Sequence, residues 1–359
     1  RHKIRTAIGG ILLLWYIFCL PSPLFKEGYA TVVESREGKL LGGKIAPDGQ
    51  WRFPERDTVP YKLREAILAF EDAHFYYHWG VNPISTAKAL LTNLRHGHTV
   101  RGGSTLTQQV IRLARKNKAR TYGEKLIEAI WATRLEFRYS KEKILALYAS
   151  HAPFGGNVIG ADMAAWRYFG VSVEQLSWAE ACTLAVLPNA PGLIFPGHNQ
   201  NALKKKRDFL LEKLLKNHTI DKTTYELSLE EPLVERPHEL PNIAPHLVER
   251  IARTTPNKRQ VTTIDYYLQE RVQEVIAKYY RHYKRFEVHN LCALVVDVQS
   301  REVLAYVGNS PTDEQHHKDV NIIHRPRSTG SVLKPFLYTA MLDSGELLPQ
   351  ELVGDIPTH

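Results

Sequence analysis

Cysteine is scarce: three residues in a chain of 359, with no CxxC pair and no spacing suited to a metal. A disulfide-stapled fold and a thiolate metal site are both excluded on that ground. Cys19, Cys182 and Cys292 each sit in an apolar run and are expected to be small buried hydrophobes. Charge is missing altogether from Thr6 to Phe25, where Ile8, Ile11, Leu12, Leu13, Leu14, Trp15, Tyr16, Ile17, Phe18 and Leu20 dominate. Roughly 20 uncharged residues can cross a bilayer core as a helix, so residues 1–25 are expected to be a cytoplasmic flank and a transmembrane anchor. A small-x-small cleavage site is missing too, since only Pro21, Ser22 and Pro23 follow the run. That weighs against the rival reading, a cleaved signal peptide. Arg1, Lys3 and Arg5 set the amino terminus on the cytoplasmic side, which leaves everything after Lys26 outside.

Acidic residues are the minority among charges, 38 against 47 Lys and Arg, for a formal net charge of +9. This favours an anionic partner: nucleic acid, an acidic membrane or a phosphorylated substrate. An extracytoplasmic chain has little access to nucleic acid, which leaves the plasma membrane or a lipid-linked phosphate. With 43% hydrophobic residues the chain can bury a full core and is expected to form two domains or more. There is no initiator Met, and with the end at His359 this suggests a piece of a longer chain.

Tyr29 to Leu41 reads as a short hairpin turning at Glu37 and Gly38, a stalk over residues 26–50. Residues 51–217 are almost wholly helical in pattern. Starts recur at Pro60, at Asn82-Pro83, at Ser140 and at Ser177 with Glu180, and stops at Gly97, Gly123, Gly170 and Pro188. The helix from Pro83 carries Ile84, Ala87, Leu90, Leu91 and Leu94 on one side, expected in the core or in the outer leaflet, and runs on to His96 and His98. Residues 218–284 are a connector rich in proline, with a helix from Tyr266 to His282. Strands follow at Leu291–Val298 and Val303–Val307.

Chemistry gathers at F-E-D-A-H-F-Y-Y-H-W-G, residues 70–80. Its spacing puts Glu71 and Asp72 near a helix end, on the wrong side of the macrodipole, among aromatics where a carboxylate with a raised pKa can act as a base. A solvated pair at a turn is the plain alternative. Glu71 with His74 and His78 also has a ligand-like spacing, but a second such set is lacking. Next comes Arg101-Gly-Gly-Ser-Thr-Leu-Thr-Gln-Gln109, a glycine-rich helix entrance suited to phosphate. The spacing predicts Thr105, Gln109 and Arg112 on one face, ahead of a basic run through Arg115, Lys116, Lys118 and Arg120 that can equally be solvated. Lys125 and Glu128 lie one turn apart on a helix over 122–137, a weak surface pair unless a cleft buries them.

These stretches resemble the glycosyltransferase family 51 domain of bifunctional class A penicillin-binding proteins. E-D-A-H-F-Y-Y-H-W-G resembles its first signature and G-G-S-T-L-T-Q-Q at 102–109 its second. E-K-L-I-E at 124–128, K-E-K-I-L-A-L-Y at 141–148 and Lys206-Arg207 are similar to the third, fourth and last. H-A-P-F-G-G at 151–156 and A-V-L-P-N-A-P at 185–191 look most like the 1C branch. Three positions depart from the pattern: Glu124 stands in place of Arg, Ser150 in place of Asn and Leu113 in place of Asn. The first removes a positive charge near the expected pyrophosphate.

The resemblance implies a mainly α, lysozyme-like glycosyltransferase domain behind one transmembrane helix in a bacterial plasma membrane. It also implies the polymerisation of lipid II into glycan strands, with other wall-synthesis proteins as further partners and no nucleic acid. Glu71 is then the general base with Asp72 beside it, Glu128 is catalytic, and Arg112 and Lys125 handle the donor pyrophosphate. Asp72, Phe75, His78, Ser104, Thr105, Gln108, Gln109, Lys206 and Arg207 are substrate-binding by the same resemblance. No resident metal is implied, although a divalent cation such as Mg has room in the scheme at the pyrophosphate. R-S-T-G-S-V-L-K-P-F at 327–336 is similar to the nucleophile box of the α/β transpeptidase domain, with Ser331 as nucleophile and Lys334 one turn away. The later S-x-N and K-T-G boxes are absent, so residues 285–359 are expected to hold only the start of that domain. A noncatalytic membrane-anchored scaffold is the alternative function.

Overall fold

A computed structural model describes residues 2–96, 102–118 and 121–352. Arg1, Gly97, His98, Arg101 and Arg120, singled out above, lie outside the described residues. The chain runs α1 (His2–Phe18), β1 (Thr31–Glu34), β2 (Leu40–Lys44), β3 (Trp51–Arg52), α2 (Tyr61–Glu71), α3 (Pro83–His96), α4 (Leu106–Ala114), α5 (Tyr122–Arg138) and α6 (Lys141–His151). It continues through β4 (Pro153–Gly155), β5 (Val158–Ile159), α7 (Ala161–Phe169), α8 (Trp178–Val186), α9 (Gln200–Lys216) and α10 (Lys222–Glu230). Last come α11 (Pro245–Thr254), β6 (Arg259–Val261), α12 (Tyr266–Tyr283), β7 (Ala293–Val296), β8 (Val303–Val307) and α13 (Lys334–Asp343).

The helices of residues 61–216 enclose the main core. α8 is its centre, buried at Ala179 and from Ala181 to Val186 and packed against α2 and α9. Each fully buried leucine there, such as Leu184, Leu210 or Leu211, contributes roughly 2 kcal/mol through loss of apolar area from water. Ser140 and Ser177 cap α6 and α8 as their sequence signals require, with Glu180 completing the box at Ser177. Gly170 ends α7 in the left-handed conformation. Gly123, expected as a stop, instead lies in the first turn of α5, because Thr121 caps that helix through the Glu124 N–H.

The apolar amino-terminal run is not a single helix. α1 stops at Phe18, Pro21 and Pro23 cannot continue it, and Leu20, Leu24 and Phe25 turn into the main core. Arg134 and Arg138 of α5 take up the carbonyls of Ile17 and Pro21. Among the described residues no helix is long and apolar enough to cross a membrane. Ile84, Ala87 and Leu91 of that stripe on α3 are exposed, while the side chains of Leu90 and Leu94 lie outside what is described.

The hairpin expected as a stalk is instead built into a second core. β1 pairs antiparallel with β2 and parallel with β6, giving the order β2-β1-β6. Val33 and Leu41 pack there with Ala244, Val248, Ile264 and Tyr306, which draws α11, α12 and β8 around the hairpin. Arg259 of β6 bonds both Glu34 of β1 and Asp162 of α7, fastening this unit to the main one. β7 and β8 form the expected antiparallel pair. Of the cysteines, Cys182 is buried as expected, whereas Cys292, just before β7, is exposed.

Candidate active site

Glu71 is the last residue of α2 and Asp72 its cap, as the placement at a helix end requires. The Glu71 Oε2 accepts a 2.6 Å hydrogen bond from Gln109 Nε2 of α4, while its Oε1 is buried on the side of the Tyr148 hydroxyl. Burial pushes this carboxyl above its usual range, and Gln109, the Tyr148 hydroxyl and the charge of Lys206 offset that only in part. Lys206 of α9 is half-buried, and its Nζ donates to Asn189 Oδ1 at 2.8 Å. Burial lowers its pKa, against the pull of Glu71.

A second cluster lies one helical turn along α4. Arg112 donates to both oxygens of Glu128, Nε to Oε1 at 2.9 Å and Nη2 to Oε2 at 3.0 Å. Lys125 Nζ reaches the same Oε2 at 3.1 Å, and both cations also donate to Ser104 Oγ, Lys125 at 2.7 Å and Arg112 at 3.1 Å. Burial opposes the Glu128 charge, but the Arg112 and Lys125 bonds prevail and hold its carboxyl below the usual range. Two cations and a hydroxyl converge here, the donor set that takes a phosphate group. Gln109 and Arg112 are three residues apart on α4, so one helix face serves both the carboxylate and the cations.

The Glu124 departure has a visible partner. Glu124 forms a two-pronged ion pair with Arg115, whose guanidinium lies 4.5 Å from the centre of the Trp131 ring. The negative charge at 124 is therefore neutralised by a neighbour, and Arg115 holds its carboxyl low.

Several residues expected to bind substrate are buried and engaged within the protein. Asp72 and His78 are buried: Asp72 Oδ2 accepts from the Leu106 N–H at 3.0 Å and from His78 Nε2 at 2.9 Å, so it caps the start of α4. Thr105 and Gln108 form a capping box at the same helix start, and Thr105 Oγ1 also donates to the Gly80 carbonyl at 2.6 Å. Thr105 therefore does not share the Gln109 and Arg112 face. Phe75 is 1% exposed and lies under Lys141, which donates to the His78 carbonyl. Arg207 is also 1% exposed and donates to the Glu231 carbonyl at 2.6 Å, away from its neighbour Lys206. Successive residues of a helix point about 100° apart, which is why one of this pair meets Glu71 and the other the core. The metal-like set is dispersed, with His74 exposed, His78 on Asp72 and Glu71 on Gln109.

Ser331 lies in a short 3₁₀ turn, Gly330–Leu333, with Lys334 opening α13, and both are exposed. Among the described residues no hydrogen bond joins them. The sequence reading missed Tyr148 and Asn189. Tyr148 carried a signal, a hydroxyl among Ile144, Leu145 and Leu147 on a buried stretch of α6; Asn189 carried none beyond its place in A-V-L-P-N-A-P.

A family model described as Transglycosylase matches residues 42–215. Penicillin-binding protein 1C of Escherichia coli (strain K12) is 35% identical over 94% of this chain and 44% of its own. Penicillin-binding protein 1A of Aquifex aeolicus (strain VF5) is 32% identical over 64% of this chain and 32% of its own. Penicillin-binding protein 1B of Vibrio cholerae serotype O1 is 28% identical over 85% of this chain and 42% of its own. The chain spans less than half the length of these curated relatives.

Proposed function

We propose that this chain, whose residues 42–215 match the Transglycosylase family model, is a peptidoglycan glycosyltransferase that polymerises lipid II into glycan strands. One observation carries the reading: α4 brings a buried, proton-hungry carboxylate and a cation cluster onto one helix face. Glu71 takes the proton of the acceptor sugar hydroxyl, and that sugar oxygen attacks the anomeric carbon of the donor. Arg112, Lys125 and Ser104 receive the charge that develops on the leaving diphosphate. Glu128 is the group that holds the two cations side by side until the diphosphate competes for them. Lys206, oriented by Asn189, keeps a positive charge near Glu71.

The bilayer is the source of such a substrate, and α1 supports an anchoring role. Ile11 to Trp15, Ile17 and Phe18 are exposed apolar side chains beside the cationic Lys3 and Arg5, with Trp79 and Phe137 exposed on the body of the domain. We place α1 in the plasma membrane, with residues 26 onward on the extracytoplasmic side. Residues 285–359 are the opening part of a transpeptidase domain, in which Ser331 and Lys334 are not yet paired. The test is direct: purified protein supplied with lipid II and resolved for glycan strands. Polymer formation supports the assignment, and its absence with intact folding favours a noncatalytic scaffold.

A further inference from the structure

Tyr148 is a core position by every measure but one. It is 2% exposed, and its neighbours on α6, Ile144, Leu145 and Leu147, are buried apolar residues. Phenylalanine would fill the same volume without burying a hydroxyl, and among the described residues the group that acts on that hydroxyl is the Glu71 carboxylate. Facing it is Glu71, whose Oε1 is buried on that side, while Oε2 is occupied by Gln109. Two polar atoms of complementary kind thus face each other in one dry site, and from there the hydroxyl already eases ionisation of the carboxyl.

We propose that Tyr148 is the positioning residue of Glu71, its hydroxyl donating to Oε1 while the carboxylate is ionised and accepting from it once Glu71 is protonated. The inference rests on the reading of Glu71 as the base. A hydroxyl can serve both states because it is donor and acceptor at once. As the acceptor sugar's proton moves to the Glu71 carboxylate, the electron pair it leaves forms the new bond to the anomeric carbon. The old anomeric C–O bond breaks, and its pair departs on the diphosphate. Tyr148 keeps its own proton throughout, since burial and the charge of Glu71 push its ionisation far out of range. Gln109 holds Oε2 in the same way in both states, so the carboxyl cannot rotate away as it changes charge.

The test uses the full chain with Tyr148→Phe, Glu71→Gln and 3-fluorotyrosine placed at position 148. Infrared difference titration follows the Glu71 carboxyl, identified as the band that Glu71→Gln removes. Loss of the donor moves its midpoint to higher pH in Tyr148→Phe, and the stronger donor fluorotyrosine moves it lower. On the acidic side of its optimum, polymerisation of lipid II by Tyr148→Phe falls by about tenfold, the effect of one hydrogen bond to a charged group. A purely packing role would leave the midpoint in place and lower stability alone, and that result overturns the proposal. Should the unmodified chain form no glycan at any pH, the assigned reaction fails, while the titration still decides whether Tyr148 governs Glu71. If Tyr148→Phe fails to fold, fluorotyrosine carries the test, and an unmoved midpoint there also overturns it.

Discussion

Replacing Asp72 separates a structural carboxylate from a substrate-binding one. Asp72→Ala strips the acceptor from two buried donors, the Leu106 N–H at 3.0 Å and His78 Nε2 at 2.9 Å. Each donor left unpaired costs about 1–3 kcal/mol, and truncating one member of a buried charged contact costs about 3–5 kcal/mol. A central value of roughly 4 kcal/mol follows, which for a domain of this size lowers the unfolding temperature by roughly 8–16 °C. Both donors meet the same oxygen, so the amide oxygen of Asp72→Asn can take their place, and its loss should stay near about 1 kcal/mol. Unfolding followed by circular dichroism, alongside lipid II polymerisation well below the transition, provides the assay. The Ala variant should lose stability and activity together, whereas the Asn variant keeps most of both. An Asn variant that melts like the unmodified chain but polymerises more than about a hundredfold slower would show that the charge acts on substrate, and the capping argument would be wrong.

Other expectations follow from the same geometry. Lys206→Met should cut polymerisation at least about tenfold with stability within about 1 kcal/mol, while Arg207→Met should cost about 1–3 kcal/mol in a denaturant titration because it leaves the part-buried Leu229 and Glu231 carbonyls without their donor. Gly80 has φ +83°, and a Cβ there would stand 2.6 Å from the Ala132 carbonyl oxygen, so Gly80→Ala should cost about 2–4 kcal/mol, read by thermal melting. With Glu71 pushed up and Glu128 held down, the acidic limb of kcat/KM against pH should follow Glu71 alone and lie above the ordinary carboxylate range. Labelled penicillin should leave no stoichiometric covalent band on this 359-residue chain, since Ser331 and Lys334 are exposed and unjoined; such a band would show local activation of the serine.

What the sequence made legible was local. Helix starts at Ser140 and Ser177 and the placement of Glu71 at a helix end follow from capping and periodicity within a few residues. The grouping of Lys125 with Glu128 follows from helical spacing alone. Illegible was whatever depends on a distant segment. Asp72, Phe75 and His78 share a motif with Glu71 but turn beneath α4, because an unsatisfied N–H at residue 106 needs an acceptor there. The hairpin at residues 31–44 found its third strand at Arg259–Val261, more than two hundred residues on, which no local pattern reveals. In the amino-terminal run, hydropathy masked the two prolines that turn Leu20, Leu24 and Phe25 inward. Glu124 looked like a missing positive charge until Arg115 appeared beside it.

The central claim, that Glu71 is a buried base on which glycan polymerisation depends, is tested most directly by Glu71→Gln assayed for polymerisation and unfolding in parallel. Because folding raises the pKa of this carboxyl, the folded state binds its proton more tightly than the unfolded chain does. Its ionisation therefore costs stability as pH rises from the ordinary carboxylate range through the raised value, and the penalty is absent below that range. Near neutral pH, Glu71→Gln should accordingly unfold at the same temperature or a higher one while glycan formation from lipid II is abolished. Full polymerase activity in that variant, with the fold intact, would contradict the account.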